Sequence, residues 1–211
     1  MALVRSKGEP PKDAIRLTED EALQYQWKLI WNWEEQSKVL PLRYGAAVSG
    51  FCCGLAGFYL NNHYRQKLKL RTFGKLSSFL PNVILPTIAG SFFHMQFVTS
   101  DILLHKTQCP VCLEVRAIAG QTFLGLLYPV ILSPVAGFVN ANNYLTYNVP
   151  PFRNPKEVVK LFWKFTKPIT TSISIILALQ TLSASLLTYL ELNVLHDVET
   201  ELLKAESTNK S

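Results

Sequence analysis

A chain of 211 residues is long enough for one medium domain or a small bundle of membrane helices. It is 48% hydrophobic and carries a net charge of +6, but its charges are segregated. The basic excess lies in two short loops, and no basic helix carries an aromatic stacking platform, so nucleic-acid binding is excluded as a reading.

The first 43 residues hold seven basic and seven acidic side chains. Residues 1–17 read as a flexible N-terminal segment. Met1–Pro11 lacks the apolar run and small-residue cleavage site of a secretory signal, and Glu9 with two prolines interrupts any basic amphipathic presequence. Entry into an organelle is therefore expected to leave the chain uncleaved. Thr18-Glu19-Asp20-Glu21 is a capping-box start, which predicts a helix over residues 18–38. Leu23, Trp27, Ile30 and Trp31 recur at helical spacing, with Trp33 beside them. Tryptophan prefers the headgroup region, so this is expected to be an amphipathic helix lying on a membrane. Trp27, Trp31 and Trp33 then serve as interfacial anchors or as docking points for a partner.

Four charge-free stretches follow. They are Tyr44–Tyr64 (21 residues), Leu76–Ser100 (25), Ala117–Phe152 (36) and Pro168–Leu190 (23). About 20 apolar residues cross a bilayer. The third stretch ends in Asn/Pro punctuation, which stops its helix near Gly137–Val139. None of the four carries the charged stripe of a soluble amphipathic helix. The predicted fold class is an all-α membrane protein. Four transmembrane helices (about 44–62, 77–100, 117–139 and 168–190) occupy residues 40–190, after the N-terminal amphipathic helix and before an acidic C-terminal tail at 191–211.

The second and third spans echo each other. Pro81 and Pro86 precede Ala89-Gly90, and Pro129 and Pro134 precede Ala136-Gly137. Each proline is expected to kink its helix by removing an amide donor. The echo is read either as chance or as a structural duplication.

The loops set orientation. Arg65, Lys67, Lys69, Arg71 and Lys75 form one acid-free loop, and Arg153, Lys156, Lys160, Lys164 and Lys167 face Glu157 alone in another. Both belong on the inner face of the membrane by the positive-inside rule. The termini and the loop holding Cys109 and Cys112 then lie on the other side.

Two small-residue seams stand out. Ala46, Gly50, Gly54 and Gly57 form a ridge in the first span that allows close helix approach. Thr171, Ser174, Ala178, Thr181, Ser185 and Thr188 recur at steps of three and four in the fourth. Packing inside the bundle is one use and contact with other membrane proteins the other; at least one seam is expected to face a partner.

Reactive chemistry is sparse. The delimited spans hold His94, Asn82, Gln96, Gln121 and Gln180, but no Asp, Glu, Lys or Arg. Ion-coupled carriers place an ionisable residue there, so a small-solute carrier or channel is the weaker alternative. No phosphate loop, metalloprotease histidine pair or nucleophile elbow is present, and no catalytic, cofactor-binding or metal-binding residue is nominated. Cys109-Pro110-Val111-Cys112 lacks the four ligands of a zinc site, even counting His105. A redox centre, a disulfide and two free thiols all remain open for it.

From Cys109 onward the sequence resembles a known family. Cys109-x-x-Cys112, then Gly125-Leu-Leu-Tyr-Pro129-Val-Ile-Leu-Ser-Pro134-Val-Ala-Gly137, Tyr144, Trp163 and Thr166-Lys167-Pro168 are similar to the transmembrane protein 126 family of the mitochondrial inner membrane. The likeness covers roughly residues 40–190, and the Cys-x-x-Cys is closer to the A-type than to the B-type member. The resemblance implies an assembly factor for respiratory complex I, partnered by membrane-arm subunits and other assembly factors, with no cofactor and no catalytic residues. It also implies basic loops in the matrix and the Cys109/Cys112 loop in the intermembrane space, where a disulfide can form.

Overall fold

The computed structural model describes residues 17–107, 109–151 and 153–208. Among these, every regular element is helical. The expected flexible segment 1–17 lies, Leu17 apart, outside the described residues.

Helix α1 spans Glu19–Trp31. Its capping box is complete: Thr18 Oγ1 accepts from Glu21 N, and the Glu21 carboxylate accepts from Thr18 N at 2.8 Å. The helix ends at Trp31 rather than running to residue 38. Arg43 holds that end, donating from Nη2 to the carbonyls of Ile30 (2.7 Å) and Trp31 (2.8 Å).

Helix α2 covers Leu40–Lys67, α3 Lys75–Leu103, and α4 Pro110–Asn143. Helix α5 covers Pro155–Thr166 and joins α6, Thr170–Thr208, through the short turn Lys167–Ile169. Three helical segments are long and apolar enough to cross a membrane: α3, α4, and the α5–α6 run from Pro155 to Ala205. Of the four expected spans, α2 is not among these three. Its 28 residues reach about 42 Å, ample length for a bilayer. Glycine, serine, tyrosine and asparagine dilute its hydropathy. The physical reason is position: α2 packs against α3, α4 and α6, and its small residues serve close contact with protein.

The spans also outrun their predicted ends. Helix α4 begins at Pro110, because Cys109 caps it and proline suits the first helical position. It continues through Asn143, where Asn140 folds its amide back onto the Ala136 carbonyl at 2.9 Å. The acidic tail expected at 191–211 is instead helix as far as Thr208. Leu195 and Val198 bury themselves in the core there, so the helix has tertiary support past residue 190.

Pro86 and Pro129 each follow a widened turn, although a third such turn, Met95–Thr99, has no proline. Leu80–Ile84 is a π turn closed by Leu85 N onto Leu80 O, and Pro86 follows. Phe123–Leu127 is another, closed by Tyr128 N onto Phe123 O, and Pro129 follows. A proline cannot donate to the carbonyl four residues back and its ring crowds that oxygen; the wide turn moves the carbonyl aside. The duplication read from the paired prolines is out of register. The π turn contains Pro81 and precedes Pro86, but in α4 it precedes Pro129, while Pro134 lies in regular helix.

The core has a cluster at each end of the bundle and a smaller third one of Leu60, Leu126 and Ile169. Ile30, Leu42, Ile102, Leu113 and Val198 gather at one end with α1 and the 104–109 loop. Tyr64, Leu68, Phe138, Leu161 and Phe165 gather at the other, where both basic loops lie. Between them the perimeter is apolar and exposed: Phe51 and Leu55, Ile88 and Phe92, Phe123 and Ile131, Leu179 and Leu182. A soluble monomer rarely exposes so much contiguous apolar surface.

Candidate functional site

The first small-residue seam is internal. A side chain at Gly50 would strike the Thr87 carbonyl and Ser91 Oγ, one at Gly54 would strike Thr87 Oγ1, and one at Gly57 would strike the Asn82 carbonyl. Asn82 is the residue four before Pro86, so the carbonyl that the proline leaves without its usual donor lies against Gly57. Ala46 is half-buried on the same helix. This ridge holds α2 to α3.

The seam of α6 is divided. Thr171, Ser174 and Ala178 are exposed, whereas Thr181 and Ser185 are half-buried and Thr188 is buried. Their hydroxyls turn back to their own helix, as in Ser174 Oγ to Thr170 O at 3.2 Å and Thr188 Oγ1 to Ala184 O at 2.9 Å. Ser185 also donates to the Glu114 carboxylate. Half of this seam therefore faces away from the bundle.

Polar side chains bind the interior together. Ser49 Oγ donates to Gln121 Oε1 at 2.8 Å. Gln121 Nε2 donates to Gln180 Oε1 at 3.0 Å and Ser183 Oγ at 2.8 Å. Gln180 Nε2 donates to the Cys52 carbonyl at 3.0 Å. This chain links α2, α4 and α6, and buried amides in such networks must be satisfied or they cost stability.

A second polar centre was missed by the sequence reading. His94 Nε2 lies 3.0 Å from Glu191 Oε1, and Thr99 Oγ1 donates to Glu191 Oε2 at 3.1 Å. His94 is 2% exposed and Glu191 0%. A side chain at Gly45 would overlap Glu191 Oε1, so that glycine makes the room. Glu191 sits one residue beyond the predicted end of the fourth span. The delimited spans hold no carboxylate, but the bundle interior does, because helix and core continue past residue 190. Continuing the 3–4 spacing from Ala184 through Thr188 to Glu191 was the available signal.

The tryptophans differ among themselves. Trp27 and Trp33 pack against the core at the α1 end. Trp31 is 51% exposed and its ring lies 4.8 Å below the Arg43 guanidinium. Cys109 and Cys112 are both free and exposed. Cys109 Sγ accepts from Cys112 N at 3.4 Å. Its hydrogen bond with the Cys112 side chain, then that backbone amide, holds its thiol below the ordinary value. Among the described residues, no group of three or more His, Cys, Asp or Glu side chains is placed to hold a metal ion.

Several charges at the same end are paired. Lys38 bridges Glu35 (2.7 Å) and Glu201 (3.0 Å), Lys106 meets Glu19 at 2.8 Å, and Arg116 meets Asp101. His105 Nε2 lies 2.5 Å from Glu199 Oε1, which raises the imidazole's pKa above its usual value. These contacts tie α1 to the 101–107 segment, and tie that segment and Lys38 to the far half of α6.

An all-helical chain with three apolar helices of bilayer length, a sealed polar interior and an exposed apolar perimeter is a transmembrane helix-bundle protein. Residues 23–205 match the model of the transmembrane protein 126 family, and the chain belongs to that family. It is 44% identical to Transmembrane protein 126 of Drosophila melanogaster over 191 residues, covering 89% of this chain and 86% of that one. It is 26% identical to Transmembrane protein 126A of Rattus norvegicus over 147 residues, covering 69% and 72%. The Mus musculus protein of that name shows the same figures. No solved structure shows a significant match.

Proposed function

We propose that this protein is a non-enzymatic scaffold of the mitochondrial inner membrane, serving assembly of respiratory complex I. It holds membrane-arm subunits and other assembly factors by helix packing within lipid. In this reading α2, α3, α4 and α6 all cross the bilayer, and α1 lies at its surface. The basic loops at 65–75 and 153–167 face the matrix. The termini and the Cys109/Cys112 loop face the intermembrane space.

Family membership supports this reading, and one observation carries it. Thr171, Ser174 and Ala178 make an exposed small-residue run on α6, flanked by exposed Ile175, Leu179 and Leu182. Small residues on an outward face let a second helix approach closely. Knockout followed by native-gel separation is the test: stalled complex I subassemblies are expected, and intact complex I would overturn the proposal.

The buried His94–Glu191 pair favours a second reading, a small-solute carrier or channel, since ionisable groups inside membrane proteins often mark transport paths. That reading requires altered solute uptake with complex I intact in the same knockout.

A further inference from the structure

The two ends of the bundle treat charge differently. Where α1 meets α6, Lys38, Lys106 and Arg116 each have a carboxylate partner, and of the lysines there only Lys28 and Lys204 make no ion pair among the described residues. At the other end Lys69, Arg71, Lys156, Lys160, Lys164 and Lys167 are exposed, and among the described residues none of them makes an ion pair. Glu157 is the single acid on α5.

Arg65 shows that this end can bury a cation when the fold needs one. Its guanidinium donates to the carbonyls of Arg71 (2.7 Å), Phe73 (3.0 Å) and Gly74 (3.0 Å) and to Ser78 Oγ (2.7 Å). These bonds fold residues 71–74 around it and turn Lys69 and Arg71 outward. Both of those residues hold positive φ, 55° and 46°.

Helix α5 has two faces. Leu161 and Phe165 are buried against the bundle end, with Val158 and Phe162 partly buried beside them. At 100° per residue, Lys156, Lys160 and Lys167 share the opposite face with Val159 and Trp163, and Lys164 borders it. Trp163 is 62% exposed and Val159 is exposed too. The short turn Lys167–Ile169 leads directly into α6, so the basic face begins within one turn of the apolar perimeter. A tryptophan among lysines at the end of a membrane helix suits the headgroup layer, where the indole and the lysine stems meet acyl chains and the ammonium groups meet phosphate.

We propose that the outer face of α5, together with the Lys69–Arg71 loop, is a seat for anionic phospholipid headgroups of the adjoining leaflet. The ligand chemistry is a phosphodiester bearing net negative charge, bound by several ammonium groups at once, with Trp163 at the acyl boundary. Each lysine near an anionic leaflet contributes about fivefold to the preference. The proposal rests on the chain being embedded in a bilayer; it does not depend on what the scaffold assembles.

The test reconstitutes the full chain in nanodiscs of phosphatidylcholine with a trace of dansyl-labelled lipid, either dansyl-phosphatidylglycerol or dansyl-phosphatidylcholine. Energy transfer from tryptophan is read. Wild type is expected to enrich the anionic label over the neutral one, and the enrichment is expected to fall as salt is raised. The variant with Lys156, Lys160, Lys164 and Lys167 changed to Gln should lose it by about tenfold or more. Lys28→Gln/Lys38→Gln, at the other end, should keep it. Circular dichroism checks that each variant is folded. If the fourfold variant does not fold, the wild-type salt dependence decides. Equal transfer to both labels, or a preference indifferent to salt, overturns the proposal, as does a fourfold variant that retains it; an acidic protein partner for this face would give the first result. Failure to enter nanodiscs would count against the membrane reading instead.

Discussion

His94 and Glu191 are 97 residues apart and meet at 3.0 Å, pinning α3 to α6 in a space that Gly45 leaves open on α2. The pair fixes the relative height of three helices. Its energetics follow from burial: a buried hydrogen-bonded group that loses its partner keeps its desolvation cost. His94→Leu leaves the Glu191 carboxyl with Thr99 alone and should lower stability by about 3–5 kcal/mol. Glu191→Gln keeps groups that can bond both His94 and Thr99 and should cost about 1 kcal/mol. The double variant His94→Leu/Glu191→Leu should fall well short of the summed single effects. Thermal unfolding in mild detergent measures all of these; additive losses would mean the two residues act independently.

Gly57 and Gly54 test the α2–α3 seam by different obstacles. At Gly57 a new side chain meets backbone, the Asn82 carbonyl, which cannot swing away. At Gly54 it meets Thr87 Oγ1, a side-chain atom on a rotatable bond. Gly57→Leu is expected to reduce folded yield severely, and Gly54→Leu to cost about 1–3 kcal/mol as an overpacking change. Both should act on folding first, and partner binding should fail only as a consequence. Folded Gly54→Leu protein that fails to bind partners would show instead that this seam faces outward.

The His105–Glu199 contact should respond to pH. Glu199 raises the His105 pKa by hydrogen bonding, more than partial burial lowers it. A raised folded pKa means the contact contributes fully below the ordinary histidine value and is lost as pH climbs through the raised one. Asp101 at the end of α3, Arg116 on α4 and His196 on α6 lie around it, and Lys106 follows it in the chain. Amide exchange at His105–Thr107 is expected to accelerate as pH rises beyond the neutral-histidine threshold, after correction for intrinsic rates. His105→Gln should flatten that response. A wild-type loop whose protection ignores pH would contradict the assignment.

The helical class and the placement of both basic loops at one end were legible because a bilayer forces charge out of long apolar runs. The Thr18–Glu21 cap was legible because it is a local pattern. Four things were not. Glu191 marked a boundary on the rule that charge ends a span, yet His94 sits too far away in sequence to reveal a partner. The glycines of α2 read equally well as an inner or an outer seam, because small-residue spacing does not say which helix fills it. The paired prolines suggested a repeat, but a π turn depends on what surrounds the displaced carbonyl, and Gly57 has no counterpart in the proline motif itself. At Cys109 the motif was visible and its helix N-cap geometry was not, since the apolar run appeared to begin only at Ala117.

That cap gives the two cysteines unequal chemistry. Cys109 accepts hydrogen bonds from the side chain and backbone of Cys112, which lowers its pKa. Alkylation by iodoacetamide near neutral pH is expected to be faster at Cys109, read in Cys112→Ser protein, than at Cys112, read in Cys109→Ser protein, because thiolate is the reacting form. Cys112→Ala should slow Cys109 alkylation relative to Cys112→Ser, since alanine removes the donating side chain. Equal rates throughout would mean the cap does not polarise the thiol.

The outward run on α6 separates scaffold from self-contained bundle. Ser174 and Ala178 are exposed, and Ser174 Oγ is already bonded to the Thr170 carbonyl. Leucine at these exposed positions raises helix propensity over Ser174 and lowers it slightly from Ala178, so stability should change by less than about 0.5 kcal/mol. A helix docked against these small residues would be pushed outward, losing the close backbone approach that drives association in lipid. Ser174→Leu/Ala178→Leu protein should therefore insert and unfold as wild type does, while retaining fewer membrane partners in crosslinking of intact mitochondria. An exposed leucine swap on a different helix, Phe51→Leu on α2, controls for general surface effects. If the double variant keeps its partners, the exposed half of the seam faces lipid alone, and partner binding must come from another surface of the bundle.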